Sequence, residues 1–283
     1  MISFNNSCDG FYKDSLDVRF TKRCDNTCPF CIERNGVKGE KTDVNRLIME
    51  TIKTGKKEIL VLGGEPLLLP HELLLYVRGI RSFVDHIYVT TSLPKTVEDN
   101  WNTFTKIMDY IDGLNISLQH YDPEKNNDIL HASSRHDRIA LTKKICNAYA
   151  DKVRVSINLI KGQIDTKEEI DAFLKKMEEC GVQHVKINEL QFEKDLYVSF
   201  EKAYGVKYKS PFAYGCQTQL QLPGHPLLIT LKRSCFLVNP MLRASAADFV
   251  KSLRLLTKNK SNEQLVLYEN GVCSNGWKQE NRT

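Results

Sequence analysis

The chain has 283 residues, of which 41% are apolar and 27% charged, and its formal net charge is +5. This composition is ordinary for a soluble globular protein with a sizeable core, and the mild positive charge permits an anionic partner such as a nucleotide without demanding one. The basic pairs Lys56-Lys57, Lys143-Lys144 and Lys175-Lys176 are scattered, which reads as solvated helix faces, not as a nucleic-acid stripe. No apolar run reaches the roughly 18–20 residues that span a bilayer. The N-terminus lacks the basic-then-apolar pattern of a signal peptide, so the expected location is cytoplasmic with no membrane partner.

In chain order, residues 15–190 alternate strand-like and helix-like segments. Leu16, Val18 and Phe20 alternate with polar residues, as in a strand. A helix begins near Asp43, a good N-cap, with Leu47, Ile48, Thr51 and Ile52 on one face. EILVL at 58–62 is a short apolar run that stops at Gly63-Gly64 and suits a strand buried on both faces. A helix from Pro70 to about Phe83 follows, with proline in a tolerated first-turn position. The remaining strands fall at 86–91, 114–118, 153–160 and 185–190. Helices are expected at 97–110, near 137–149, and around Ile170, Phe173, Leu174 and Met177. A loop rich in Asp, Asn and His follows the fourth strand.

Six strands separated by helices imply parallel pairing, in an open doubly wound sheet or a barrel-like one. Either arrangement binds ligands at the C-terminal strand ends. After about residue 191 the rhythm changes, with Pro211, Pro223, Gly224 and Pro226 punctuating the chain. Strands are expected at 227–231 and 235–238, a helix at 244–256, and a hairpin around Asn270-Gly271. The expected organisation is an N-terminal extension at 1–14, a main domain at 15–191, and a smaller mixed α+β C-terminal extension at 192–283.

Nine cysteines in a reducing compartment point to metal before disulfide. Cys24, Cys28 and Cys31 stand in RCDNTCPFC directly after the first strand, with C-x3-C-x2-C spacing. Three thiolates within eight residues can converge on one site, and thiolate is the ligand of iron–sulfur clusters. Three ligands to a four-iron cluster leave one iron open for chemistry. Zinc usually takes four ligands in closed structural sites, often as paired C-x2-C units, and the nearest histidine is His71. A zinc-binding module without catalysis and a set of free thiols are the alternatives at this point.

RCDNTCPFC resembles the cluster-binding motif of the radical S-adenosylmethionine (SAM) superfamily, including the aromatic Phe30 before the last cysteine. The second strand ends in Gly63-Gly64-Glu65-Pro66, which resembles that superfamily's glycine-rich SAM motif in the expected place. Two motifs in the right order are far more specific than either alone. The resemblance covers roughly residues 15–190 and implies an α/β fold, a partial (β/α)6 TIM-like barrel, as in the molybdenum-cofactor cyclase branch. It implies a [4Fe-4S] cluster on Cys24, Cys28 and Cys31, whose open iron chelates SAM. One electron, from a donor such as flavodoxin or ferredoxin, then cleaves SAM to methionine and a 5′-deoxyadenosyl radical that takes hydrogen from substrate.

The resemblance also directs attention to the strand ends. Gly63 and Gly64 would let a ligand approach the backbone, and Glu65 would accept a hydrogen bond from the SAM ammonium. Thr91 and Ser92 after the third strand, Ser117 and Gln119 at the fourth, and Asn158 and Ile160 on the fifth are further SAM-contact candidates. Hydroxyls and amides suit the carboxylate and ribose, and apolar residues suit the adenine.

Cys146 and Cys180 read as buried small hydrophobes, and Cys8 carries no assigned role. Cys216, Cys235 and Cys273 are candidates for an auxiliary iron–sulfur cluster, although their wide spacing lacks a tight C-x2-C pair. His120, Tyr121, Glu189 and Gln191 are placed to face the cavity, and Arg135 and Arg138 to meet an anion. The leading expectation is a radical SAM enzyme acting on a small nucleotide-like molecule. A peptide or protein substrate is the alternative.

Overall fold

The computed structural model describes residues 14–31, 41–190, 193–206, 217–234 and 265–275. Its strands are β1 (Ser15–Thr21), β2 (Glu58–Gly63), β3 (His86–Thr91), β4 (Gly113–Ser117), β5 (Val153–Leu159), β6 (His184–Glu189), β7 (Gln217–Leu220), β8 (Leu228–Lys232), β9 (Leu265–Tyr268) and β10 (Cys273–Asn275). They form one ten-stranded sheet in the order β10-β9-β1-β2-β3-β4-β5-β6-β8-β7. Strands β1 to β6 lie side by side in chain order and pair in parallel. The sheet is a partial TIM-like barrel that does not close.

The expected six strands are extended at both edges. β9 adds in parallel outside β1, and β8 adds in parallel outside β6. β10 and β7 then finish the two edges antiparallel. A parallel edge exposes unpaired backbone groups, and here the C-terminal part of the chain covers both. The hairpin expected at Asn270-Gly271 joins β9 to β10, where Gly271 N donates to Tyr268 O at 2.7 Å. The strand at 235–238, the helix at 244–256, Cys8 and most of the N-terminal extension lie outside the described residues.

Seven of the helices named here, α1 to α7, lie between β1 and β6. Helix α1 (Val44–Thr54) is capped by Asp43, whose side chain accepts from Arg46 N at 3.0 Å. Helix α2 (Pro70–Ile80) starts with proline in its first turn and continues into a 3-10 turn at Arg81–Phe83. The single helix expected at 97–110 is two, α3 (Thr96–Asp99) and α4 (Trp101–Tyr110). Asn100 breaks it with non-helical backbone, and its amide donates to Thr96 O. The loop expected after β4 contains a helix, α5 (Pro123–Leu130), capped by Asp122. Helices α6 (Arg138–Tyr149) and α7 (Lys167–Glu179) are capped by Asp137 and Thr166. A short helix, α8 (Phe200–Tyr204), follows β6.

Strand alternation divides the chemistry. Leu16, Val18 and Phe20 on β1, Ile59 and Val61 on β2, and Val155 and Ile157 on β5 share one apolar cluster with Tyr76, Phe104 and Phe173 of the helices. Phe20 and Tyr76 meet with ring centroids 5.7 Å apart, and Tyr76 OH shares a 2.8 Å hydrogen bond with Thr51 Oγ1. The alternate positions belong to the other sheet face, which is strongly polar. Adjacent strands set Asn115 beside Arg154 on this face, and Ser156 beside Lys186.

Candidate active site

The cysteine loop leaves β1 at Thr21 and crosses directly over the end of β2. Gly64 N donates to Thr21 O at 2.7 Å, and Glu65 N donates to Arg23 O at 2.7 Å. The contact is so close that only glycine fits. A Cβ on Gly64 would stand 2.0 Å from Arg23 O and 2.6 Å from Arg23 C, both backbone atoms. Gly63 has φ +122°, and a Cβ there would meet Thr21 O at 2.8 Å. The two glycines thus seat the cysteine loop itself.

Glu65 is buried and holds β2 to β3. Its Oε1 accepts from Leu67 N at 3.0 Å and Thr91 Oγ1 at 2.8 Å. Its Oε2 accepts from Ser92 N at 2.6 Å and Ser92 Oγ at 2.8 Å. Four donors match the roughly four lone-pair sites of a carboxylate. Burial pushes its carboxyl up to about 7, against the pull of those hydrogen bonds. Thr91 and Ser92, expected as ligand contacts, are both engaged with Glu65.

The cysteine loop is held from its other side by the segment around α5. Thr27 N donates to Leu130 O at 3.2 Å, and Ser133 N and Oγ both donate to Asp25 O at 2.8 Å. Cys28 Sγ lies 3.5 Å from Leu130 O, and Cys31 N donates to Cys28 O at 3.1 Å. Cys24, Cys28 and Cys31 are all half-buried. Burial pushes the Cys24 and Cys28 thiols up to about 12, so metal binding there is coupled to loss of their protons. Among the described residues no three His, Cys, Asp or Glu side chains gather closely enough for a single metal ion. A four-iron cluster asks for less convergence, because each thiolate binds a different iron. Three cysteines on one short loop, shielded by protein and half-open to the barrel mouth, fit that donor set.

Phe30 extends the loop into a small apolar cluster with Ile129, Ile160, Leu190 and Leu196. This brings Ile160 of the fifth strand's end together with the cysteine loop, as a flat apolar wall would require. Asn158 N donates to Gln119 Oε1 at 3.3 Å, so these two candidates meet as well. Ser117 faces Ser156 across β4 and β5.

Other expected groups are placed differently. Glu189 is buried with its carboxylate accepting from Phe200 N, Ser234 N and Tyr197 OH, so it anchors the segments after β6 and β8. His120 is buried, and its Nδ1 accepts from Asp122 N at 2.9 Å. Burial lowers its pKa, and its ring lies tilted against Tyr121 with centroids 4.3 Å apart. Arg135 is paired on the surface with Glu124 and Asp128. Arg138, expected to meet an anion, is fully buried beneath the cysteine loop. Gln191, Cys216 and Cys235 lie outside the described residues, and Cys273 is exposed on β10. Cys146 and Cys180 are buried, as expected.

The residues that the motifs do not reveal are Asn26 and Arg138. Asn26 Nδ2 donates to Ser92 Oγ at 2.7 Å, which links the loop to Glu65's partner. No spacing rule marks either residue, because the contacts that tie them to each other and to Ser92 span 46 to 112 positions.

Fold and site together define an open, largely parallel barrel with a three-cysteine loop at the C-terminal ends of its strands. The sequence profile of the Radical SAM superfamily matches residues 18–177, more than half of the chain. The chain belongs to the radical SAM superfamily. That family implies a [4Fe-4S] cluster and SAM. Among solved structures, SAM-bound SuiB of Streptococcus suis is similar, with 18% identity and a TM-score of 0.51 over 66% of this chain and 44% of that one. Methylornithine synthase matches with 15% identity and a TM-score of 0.46, over 71% of this chain and 58% of that one. Coproporphyrinogen III oxidase of Escherichia coli matches with 14% identity and a TM-score of 0.45, over 72% of this chain and 52% of that one. The chain therefore spans about half the length of these relatives. No curated protein sequence matches it. Among the described residues no helix is long and apolar enough to cross a membrane.

Proposed function

We propose that Cys24, Cys28 and Cys31 hold the [4Fe-4S] cluster and that the enzyme acts on a small, polar, nucleotide-like molecule. The observation that carries this reading is the joining of the two motifs: the cysteine loop is hydrogen-bonded to Gly64 and Glu65 at the mouth of the barrel. When bound, the cluster supplies the electron that cleaves SAM. The protein's part is placement. Phe30, Ile160 and Leu190 offer an apolar surface for the adenine, while Ser117, Gln119 and Asn158 offer polar groups for the ribose and carboxylate. Glu65 acts mainly by fixing Thr91 and Ser92.

The substrate reading is supported by the polar sheet face. Asn115 and Arg154 on it are linked by a 2.8 Å hydrogen bond, and Asn188 donates to Ser156 Oγ at 2.8 Å. The register continues this polar surface through Lys186 and Lys232. Burial, with Arg154 and Lys186 nearby, pushes His184 down to about 3. Such a wall suits a hydrophilic, anionic group better than an apolar side chain.

The test is anaerobic reconstitution of wild type and a C24A/C28A/C31A variant. Wild type should carry about four irons of a [4Fe-4S] cluster per chain and release 5′-deoxyadenosine from SAM with dithionite. The variant should do neither, and SAM cleavage by it would overturn the assignment. About four irons remaining in the variant would point to an auxiliary cluster on Cys216, Cys235 and Cys273. For the substrate, a protease-treated small-molecule fraction of cell extract should stimulate deoxyadenosine release. Stimulation by the protein fraction alone would favour a peptide substrate.

A further inference from the structure

Arg138 opens helix α6, yet its side chain is 0% exposed. Burying a guanidinium is costly unless its donors and charge are met. Here they are met by four partners from three segments. Nε donates to Ser92 O at 2.9 Å, Nη1 donates to Asn127 Oδ1, and Nη2 reaches Asn26 Oδ1 at 3.4 Å. Asp25 Oδ2 stands 3.6 Å from Nη2. Two of these four partners, Asp25 and Asn26, belong to the cysteine loop between Cys24 and Cys28. The same Asn26 donates to Ser92 Oγ, which in turn donates to Glu65.

Asp25 is equally unusual. Its side chain is 10% exposed, and neither carboxylate oxygen accepts a hydrogen bond from a described residue. A buried carboxylate beside a buried guanidinium, one in the cysteine loop and the other against it, is more than a fold staple needs. An apolar contact of the same shape would hold the loop at less cost.

We propose that Arg138 is a positioning residue for the cysteine loop, and that the Arg138–Asp25 pair sets the reduction potential of the cluster the loop carries. This rests on the assignment of the cluster to Cys24, Cys28 and Cys31. A cluster gains negative charge when it accepts an electron. A fixed cation nearby favours the reduced form, and a fixed anion opposes it. Arg138 contacts Asp25 and Asn26, the two residues that follow Cys24 in the loop, so its charge stands next to the ligand segment. Asp25, which directly follows Cys24, places the opposite charge in the same loop. The planar fork also matters: lysine would bring the charge but only one point of attachment.

The experiment is an anaerobic redox titration of reconstituted protein without SAM, followed by electron paramagnetic resonance of the reduced cluster. Arg138→Gln should lower the midpoint, and Asp25→Asn should raise it. Each change should be about tenfold in the one-electron reduction equilibrium, which is about 59 mV. Arg138→Lys should keep a midpoint near wild type while losing thermal stability as the apo-protein. Midpoints unmoved in both charge variants, or moved in the same direction, would overturn the proposal, since simple loop damage has no reason to follow the sign of the charge. If Arg138→Gln does not fold, Asp25→Asn alone decides: a raised midpoint supports the proposal and an unchanged one overturns it. Failure of wild type to take up iron and sulfide would instead strike the cysteine assignment, and this proposal with it.

Discussion

Gly64→Ala is the sharpest test of how the two motifs are joined. The new Cβ would lie 2.0 Å from Arg23 O, 2.6 Å from Arg23 C and 2.9 Å from Lys22 C. These are backbone atoms of the cysteine loop, so no side chain can swing aside. The loop must lift, which breaks the hydrogen bonds from Gly64 N to Thr21 O and from Glu65 N to Arg23 O. Overpacking costs about 1–3 kcal/mol, and each lost hydrogen bond adds about 0.5–1.5 kcal/mol. The expected loss is about 2–6 kcal/mol, a large part of a typical folding stability. At about 2 °C per kcal/mol for a chain of this size, the melting temperature should fall by about 4–12 °C. Gly79→Ala is the matched control. Its Cβ would also clash, at 2.6 Å, but with the mobile Cδ1 of Ile48. Alanine is the better helix former there, so the net effect should stay within about 1 kcal/mol. Differential scanning fluorimetry of the apo-proteins and iron uptake on reconstitution measure both. If Gly64→Ala matches Gly79→Ala in both, the glycine does not seat the loop.

Two further predictions concern buried polar groups. Glu65→Ala removes the acceptor of four donors at once, and should cost about 3–5 kcal/mol in urea unfolding of the apo-protein; Glu65→Gln should fall between it and wild type. Wild-type stability in Glu65→Ala, with weakened SAM affinity in the loaded enzyme, would mean that the carboxylate serves the ligand instead. His184 is held neutral, with its pKa pushed from 6.5 down to about 3 by burial and by Arg154 and Lys186. The unfolded chain therefore binds the extra proton first as pH falls below 6.5, and stability drops until about pH 3. This group should contribute a slope of up to about 1.4 kcal/mol per pH unit over that window. In His184→Gln that part of the acid loss should disappear, as urea midpoints between pH 7 and pH 4 would reveal; an unchanged slope would refute the assignment.

What the sequence discloses depends on whether a signal is local. The caps at Asp43 and Asp137 and the glycine at the end of β2 act on neighbours within a few residues, so a linear reading finds them. Helix α5 carried the same kind of signal, Asp122 before Pro123, but its polar residues masked it as a loop. The strands that cover the sheet edges were legible only in part. The hairpin at Asn270-Gly271 announces itself, but nothing local says that β9 pairs with β1, some 250 residues earlier. That pairing is reinforced by Arg19, whose guanidinium meets Glu269 at 2.7 Å and lies over the Tyr268 ring. The clamp of Arg138, Asn26 and Asp25 was hidden for the same reason.

The glycine-rich motif shows how a correct motif can carry an incomplete physical explanation. Read alone, Gly63-Gly64-Glu65 looks like backbone cleared for a ligand and a carboxylate offered to it. In the fold, the space a Cβ would fill is taken by the cysteine loop, and the carboxylate is engaged by Leu67, Thr91 and Ser92. The two motifs thus form one unit, in which β2 supplies the seat and β1 supplies the loop. Asn26 and Ser92 then tie that loop to β3, and Arg138 locks it from behind. On the proposed cluster assignment, this seating is what presents Cys24, Cys28 and Cys31 on one loop. A change at Gly64 should damage cluster uptake as severely as loss of a cysteine ligand, although Gly64 offers no side chain to the metal.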